Sequence, residues 1–165
     1  MDENASPIIP LCAVETAVAH EATFPLRAPE YGPVLAGLLE SGRALDGLTV
    51  AKILLRREAF RGQLNALFCD IDLLIVPAMN AAAPTLEEMA PARRTPAAVE
   101  ARIRLTAPFN MSGHPTITLP GGKTESGLPV GFQIVGRHME EALILRAGQA
   151  FQQATDWHRC RPPIG

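Results

Sequence analysis

Leu105-Thr-Ala-Pro-Phe-Asn-Met-Ser-Gly-His-Pro-Thr-Ile-Thr-Leu-Pro-Gly-Gly-Lys-Thr-Glu-Ser-Gly-Leu-Pro-Val-Gly-Phe-Gln-Ile-Val-Gly136 is the stretch on which the reading of the fold turns. Two short runs rich in β-branched residues, Thr116 to Leu119 and Val130 to Val135, are punctuated by Pro, Gly and Ser. That is the pattern of buried strands joined by tight turns. Pro115 and Pro120 bracket the first run and are expected to start and stop it, because proline has no N–H to give to a ladder. Gly127-Leu128-Pro129 turns the chain into the second run. The expectation is a hairpin, or two neighbouring strands of one sheet.

Working outward, Leu73-Leu74-Ile75-Val76 is apolar at every position. A strand with one face in water alternates, whereas a continuous run belongs in a sheet covered on both sides. The run therefore reads as an internal strand with Ile75 buried, ended by Pro77. A doubly covered strand among only three implies neighbours that these 165 residues do not encode. The rest of the pattern is helical. Leu11 to Thr23 is rich in alanine and stops at Phe24-Pro25; Pro29 opens a second helix with Tyr31, Val34, Leu35, Leu38 and Leu39 in register, closed by Ser41-Gly42. Asp46 caps a long helix reaching about Phe68, a shorter one spans Ala97 to Leu105, and the last runs from Met139 to Thr155. Asn80 to Pro96, rich in Ala and Pro, reads as an excursion with one helical turn. The fold class is α/β, one domain portion over residues 1–165 with loose arms at 1–10 and 157–165.

An apolar content of 47% in 165 residues is enough for a core, while a net charge of −2 gives no electrostatic footprint for nucleic acid or an anionic membrane. Cys12, Cys69 and Cys160 are odd in number and far apart, which argues against a disulfide framework and fits a reducing compartment. Cys69 reads as buried packing. His158 and Cys160 have no second ligand pair to complete a metal site, so neither metal nor cofactor is expected. No signal peptide is expected after Met1 and no segment is apolar enough to span a bilayer, so the expected location is the cytoplasm.

Two tempting motifs fail on spacing. Gly121-Gly122-Lys123-Thr124 is not a phosphate loop, since the glycine required five positions before Gly122 is Ile117 and no helix follows. Ser112 and His114 lack a third group to orient the imidazole, and read as a loop serine and a packing or surface histidine.

Thr106, Pro108, Phe109-Asn110, Gly113, Pro115, Pro120-Gly121, Gly127-Leu128-Pro129-Val130-Gly131, Gln133 and Gly136, in that order and spacing, resemble the carboxy-terminal block of the amidase signature family. Asp72-Leu73-Leu74-Ile75-Val76-Pro77-Ala78 is similar to the strand that precedes the block, Glu140-Glu141 continue it, and a weaker likeness reaches back to about Val14. The resemblance implies a partial amidase-signature fold, a mixed sheet flanked by helices, and hydrolysis of carbon–nitrogen (amide) bonds. Such enzymes use a serine nucleophile, a second serine bridging to it through a cis peptide, and a lysine base, because an alcohol attacks well only when a neighbouring base takes its proton. Their glycine-rich serine loop presents N–H donors to the oxyanion.

In the family those parts lie amino-terminal to the block present here. None of Ser6, Ser41, Ser112 and Ser126 stands in such a loop, and the lysines are Lys52 on the long helix and Lys123 in the hairpin turn. No catalytic residue is carried over. What the resemblance does carry over is a substrate-pocket wall: Pro77, Ala78 and Met79 from one loop, and Phe109, Asn110, Met111, Ser112 and Gly113 from another. Asn110 offers a donor and an acceptor, and reads first as a brace of its loop. The expected role is the carboxy-terminal part of an amidase-like hydrolase, inactive alone. It would be partnered by an amino-terminal amidase half or by its own copies, and would act on a small amide once complete. The alternative is a non-catalytic scaffold or binding protein derived from such a half, dimeric through an exposed sheet edge. No nucleic-acid or membrane partner is expected.

Overall fold

The computed structural model describes residues 7–90 and 95–161. Residues 1–6 and 162–165 of the two expected arms, and residues 91–94 of the Ala/Pro excursion, lie outside the described residues. The chain forms two compact units, Met1–Phe60 and Arg61–Gly165.

The first unit is helical. α1 (Ile8–Ala19) begins earlier than expected, taking in Pro10; the first turn of a helix has no intrahelical acceptors for its N–H groups, so a proline there costs nothing. Pro29 sits in a 3-10 turn (Ala28–Glu30), and it is Pro33 that opens α2 (Pro33–Arg43). The two helices meet at Gly42, where an added Cβ would lie 2.1 Å from the Ala13 carbonyl oxygen. Asp46 caps α3 (Gly47–Leu67) as expected: Oδ1 accepts the Thr49 N–H at 2.8 Å and Oδ2 the Thr49 hydroxyl at 2.9 Å. Those bonds hold its carboxyl below the usual aspartate range. α3 runs on into the second unit.

That unit contains β1 (Leu74–Pro77), α4 (Pro96–Ile103), α5 (Ala107–Ser112), β2 (Thr116–Lys123), β3 (Pro129–Val135) and α6 (Glu141–Ala154). The sheet order is β1-β3-β2 and both pairings are antiparallel. The parallel pairing that a mixed sheet also requires is not among the described strands. β2 and β3 form the expected hairpin, closed by the Thr124 N–H on the Leu128 carbonyl at 2.8 Å. α6 lies on one face of it, where Leu119, Ile134 and Ile144 make a core flanked by Leu73, Ile117, Phe132, Ala147 and Phe151.

Several expectations need correction. Pro120 does not stop its strand, which continues to Lys123 through a bulge between Pro120 and Gly122. β2 is an edge strand, where a missing N–H leaves no neighbour unpaired. Leu73 to Val76 is not an internal strand: β1 is the opposite edge, and Ile75 is 66% exposed. By register Ile75 shares a face with Ile134 and Ile117, but among the described residues β1 has one partner strand only. The stretch around Phe109 to Gly113, read as a loop, is largely the short helix α5. Pro108 stands in its first turn, and Gly113, in the left-handed region at φ 73°, ends it by donating its N–H to the Phe109 carbonyl at 2.8 Å. α6 starts after Met139 because Met139 itself has φ 65° and cannot be helical. Cys69 is exposed; Phe68 beside it takes the buried place. The expected turn in the excursion is held by a capping box, with the Thr85 N–H on Glu88 Oε2 and the Glu88 N–H on Thr85 Oγ1. Among the described residues no helix is long and apolar enough to cross a membrane.

Candidate substrate-pocket wall

The geometry of the candidate wall starts from a polar residue inside a strand. Phe132-Gln133-Ile134-Val135 is the inner end of β3, and Gln133 is only 3% exposed. A primary amide in that position is costly unless its donors are used. Its Nε2 donates to the Leu105 carbonyl at 3.0 Å and, more weakly, to the Pro77 carbonyl at 3.4 Å. Pro77 ends β1, and Leu105 leads into α5. One buried amide thus ties together the roots of both segments that the sequence assigned to the wall. The Ala78 N–H then donates to the Gly131 carbonyl at 3.0 Å, extending the β1–β3 pairing by one residue.

The wall residues divide by exposure. Ala78, Phe109, Met111 and Ser112 are buried in the fold, whereas Pro77, Met79, Asn110 and Gly113 face outward. Ser112, at 1% exposure, donates its hydroxyl to the Phe109 carbonyl at 3.4 Å and accepts the His114 backbone N–H at 3.5 Å, both long bonds. Its contact with His114 is to the backbone, so these two residues form no nucleophile–base pair here.

The His114 ring is instead a packing element. Its Nε2 lies 3.1 Å from Asn65 Oδ1, its face stacks on Phe68 with centroids 5.2 Å apart, and His138 approaches to 4.0 Å. Burial, then the charges of His138 and Arg61, lower its pKa from 6.5 to about 4. The ring is therefore neutral at pH 7. With Nε2 carrying the proton toward Asn65, Nδ1 is an acceptor; it is buried without a partner, as is His138 Nε2. Arg137, beside this pair, donates to the Phe68 and Ile71 carbonyls at 2.9 and 3.0 Å and to Asp72 Oδ1 at 3.0 Å. It pins the end of α3 and the entry to β1 against the β3–α6 connection, and its hydrogen bond to Asp72 raises its pKa.

Of the other residues considered for chemistry, Ser41 donates to the Leu38 carbonyl at 2.7 Å, and Ser126 pairs with Thr124 at 2.8 Å in the hairpin turn beside exposed Lys123. Ser6 lies outside the described residues. Among the described residues no group of three His, Cys, Asp or Glu is placed to hold a metal ion. Sequence reasoning noted Gln133 within the block but gave it no role, although a lone polar residue in an apolar strand was a signal. Asn65, Arg137 and His138 offered none.

The Amidase family profile matches residues 9–145. AmiD of Mycobacterium tuberculosis (strain ATCC 25618 / H37Rv) is 44% identical over 152 residues, 92% of this chain and 32% of its own length. The acylamidase of Rhodococcus erythropolis is 31% identical over 140 residues, 81% of this chain and 28% of its own. A crystal structure of an amidase superposes with a TM-score of 0.77 at 30% identity, over 88% of this chain and 34% of that one. The chain therefore spans about a third of the length of the curated relatives it matches. With the block at 105–136 folded as a hairpin under α6 and the family profile extending over most of the residues, the chain belongs to the amidase signature family.

Proposed function

We propose that this chain is the carboxy-terminal portion of an amide hydrolase, the portion that supplies sheet and substrate-pocket wall but neither nucleophile nor base. The observation that carries the reading is Gln133, which fastens the Pro77 and Leu105 carbonyls to one buried point and so sets residues 77–79 and 109–113 against a common frame. Amide hydrolysis also needs an activated oxygen nucleophile and donors aimed at the oxyanion. The described serines are engaged at helix ends and in a turn. On this reading the chain by itself does not turn over, and an amino-terminal amidase portion provides the Ser-Ser-Lys set, with a small amide as the substrate. Free, exposed Cys12, Cys69 and Cys160 support action in a reducing cytoplasm. A second reading, a non-catalytic scaffold, is favoured only by the open edge of β1.

The test is an amide and ester hydrolysis assay on the purified chain, run beside Ser112→Ala, Ser126→Ala and Lys123→Ala. No turnover above buffer is expected from any of them. Turnover by the parent that one substitution abolishes would overturn the proposal.

A further inference from the structure

His114 and His138 each bury a ring nitrogen that no hydrogen bond satisfies, Nδ1 of the first and Nε2 of the second. A buried polar atom without a partner is costly, so two of them on neighbouring rings call for a physical reason. The surroundings supply one. The His114 ring is 4% exposed, stacked on Phe68, with His138 tilted against it and Nε2 committed to Asn65. The His138 ring also abuts the residue that ends α5: a Cβ placed on Gly113 would lie 3.7 Å from His138 Cε1. Beyond His114 the chain is fixed again, because the Pro115 carbonyl accepts the Gly136 N–H at 3.0 Å. The two rings thus hold segment 112–114 between the end of α3 and the β3–α6 connection. The charges that act on His114 are Arg61 from α3 and His138 from that connection, both basic. Asp72 and Glu140 are taken up by Arg137. A proton arriving at His114 Nδ1 finds no acceptor there, and neighbours that repel it.

We propose that His114 and His138 form an acid-released latch on the carboxy-terminal end of α5. With both rings neutral, segment 112–114 is closed; protonation of His114 opens it about Gly113 and brings His114 and the buried Ser112 into water. Gly113 stands in the left-handed region at φ 73° and, having no Cβ, is the residue of the segment freest to change conformation. The sign follows from the two environments. In the closed fold His114 takes up a proton only near pH 4, against about 6.5 once the ring is in water. The closed form is therefore fully favoured above pH 6.5 and loses ground as pH falls toward 4. The latch is a property of the fold and stands apart from the function proposed above.

The experiment follows backbone hydrogen exchange of the 165-residue chain at pH 7.0, 5.5 and 4.5, corrected for intrinsic exchange rates, with and without urea well below the unfolding midpoint. Protection over residues 109–114 should fall by at least about tenfold from pH 7.0 to 4.5. It should not respond to the urea, because a local opening exposes little surface. Residues 130–135 of β3 exchange through wider unfolding, so they should stay better protected at each pH and respond to urea. His114→Phe keeps the stack on Phe68 and should flatten the pH response over 109–114. His138→Phe removes one of the two repelling neighbours and should shrink that response by at least about threefold. If either variant fails to fold, the pH and urea responses of the parent decide. Protection over 109–114 that is flat with pH, or that tracks residues 130–135 in both pH and urea, would overturn the latch. So would a full pH response in His114→Phe. A full response in His138→Phe would overturn the pairing of the two rings.

Discussion

Replacing Gln133 with leucine tests whether the buried amide holds the wall together. Leucine is of similar volume, so the packing around β3 is largely kept and the change falls on the two hydrogen bonds. The 3.0 Å bond to the Leu105 carbonyl contributes about 1 kcal/mol net, and the 3.4 Å bond to the Pro77 carbonyl less. A carbonyl left without a donor adds about 1–3 kcal/mol where water cannot reach it, partly offset by the apolar burial of leucine. The expected destabilisation is about 2 kcal/mol, or roughly 1 M in urea midpoint at a slope of about 2 kcal/mol per M. Circular dichroism during urea unfolding measures it, and hydrogen exchange at Ala78 and over α5 should quicken, because both segments lose their shared anchor. Gln133→Glu is a second test of the same contacts. A carboxylate there faces two carbonyl oxygens with no proton to donate, so its pKa rises above the usual value, and stability relative to the parent is lost as pH increases through that raised pKa. An unchanged midpoint and unchanged exchange in Gln133→Leu would refute the bridging role.

Two further outcomes are expected. Below pH 6.5 the unfolded chain protonates His114, while the folded ring stays neutral down to about pH 4. Stability fully present above pH 6.5 is therefore lost as pH falls through that window, by at most about 3.5 kcal/mol at about 1.4 kcal/mol per pKa unit and less where water reaches the ring. Urea titrations at pH 7.5, 5.5 and 4.5 should show a steeper decline for the parent than for His114→Phe; equal slopes would contradict the assignment. Gly42→Ala places a methyl group 2.1 Å from the Ala13 carbonyl oxygen, forcing α1 and α2 apart at a cost of about 1–3 kcal/mol, seen as a lowered melting temperature. A Gly42→Ala chain that melts with the parent would show that the two helices separate freely.

What the sequence revealed was what its local chemistry controls. Proline and glycine around residues 116–135 announced the hairpin, and Asp46 announced the start of α3, because both signals act within a few residues. α5 was missed because six residues give too little periodicity to separate a helix from a loop. The misplacement of β1 has another origin. Its continuous apolar run describes a doubly covered strand, but among the described residues β1 is an edge strand and Ile75 stands exposed. The two segments of the candidate wall were named from the sequence, but their shared anchor was not. Gln133 reaches partners 28 and 56 residues away, and Arg137 a carbonyl 69 residues away, and such contacts can be seen only once the strand order is known.

The central claim is that this chain shapes an amide-hydrolase site without supplying its nucleophile. Mass-spectrometric location of a fluorophosphonate label, after reaction with the chain joined to an amino-terminal amidase portion, tests it most directly. The label is expected on a serine of the amino-terminal portion and none on these 165 residues. A label on Ser112 or Ser126 would contradict it.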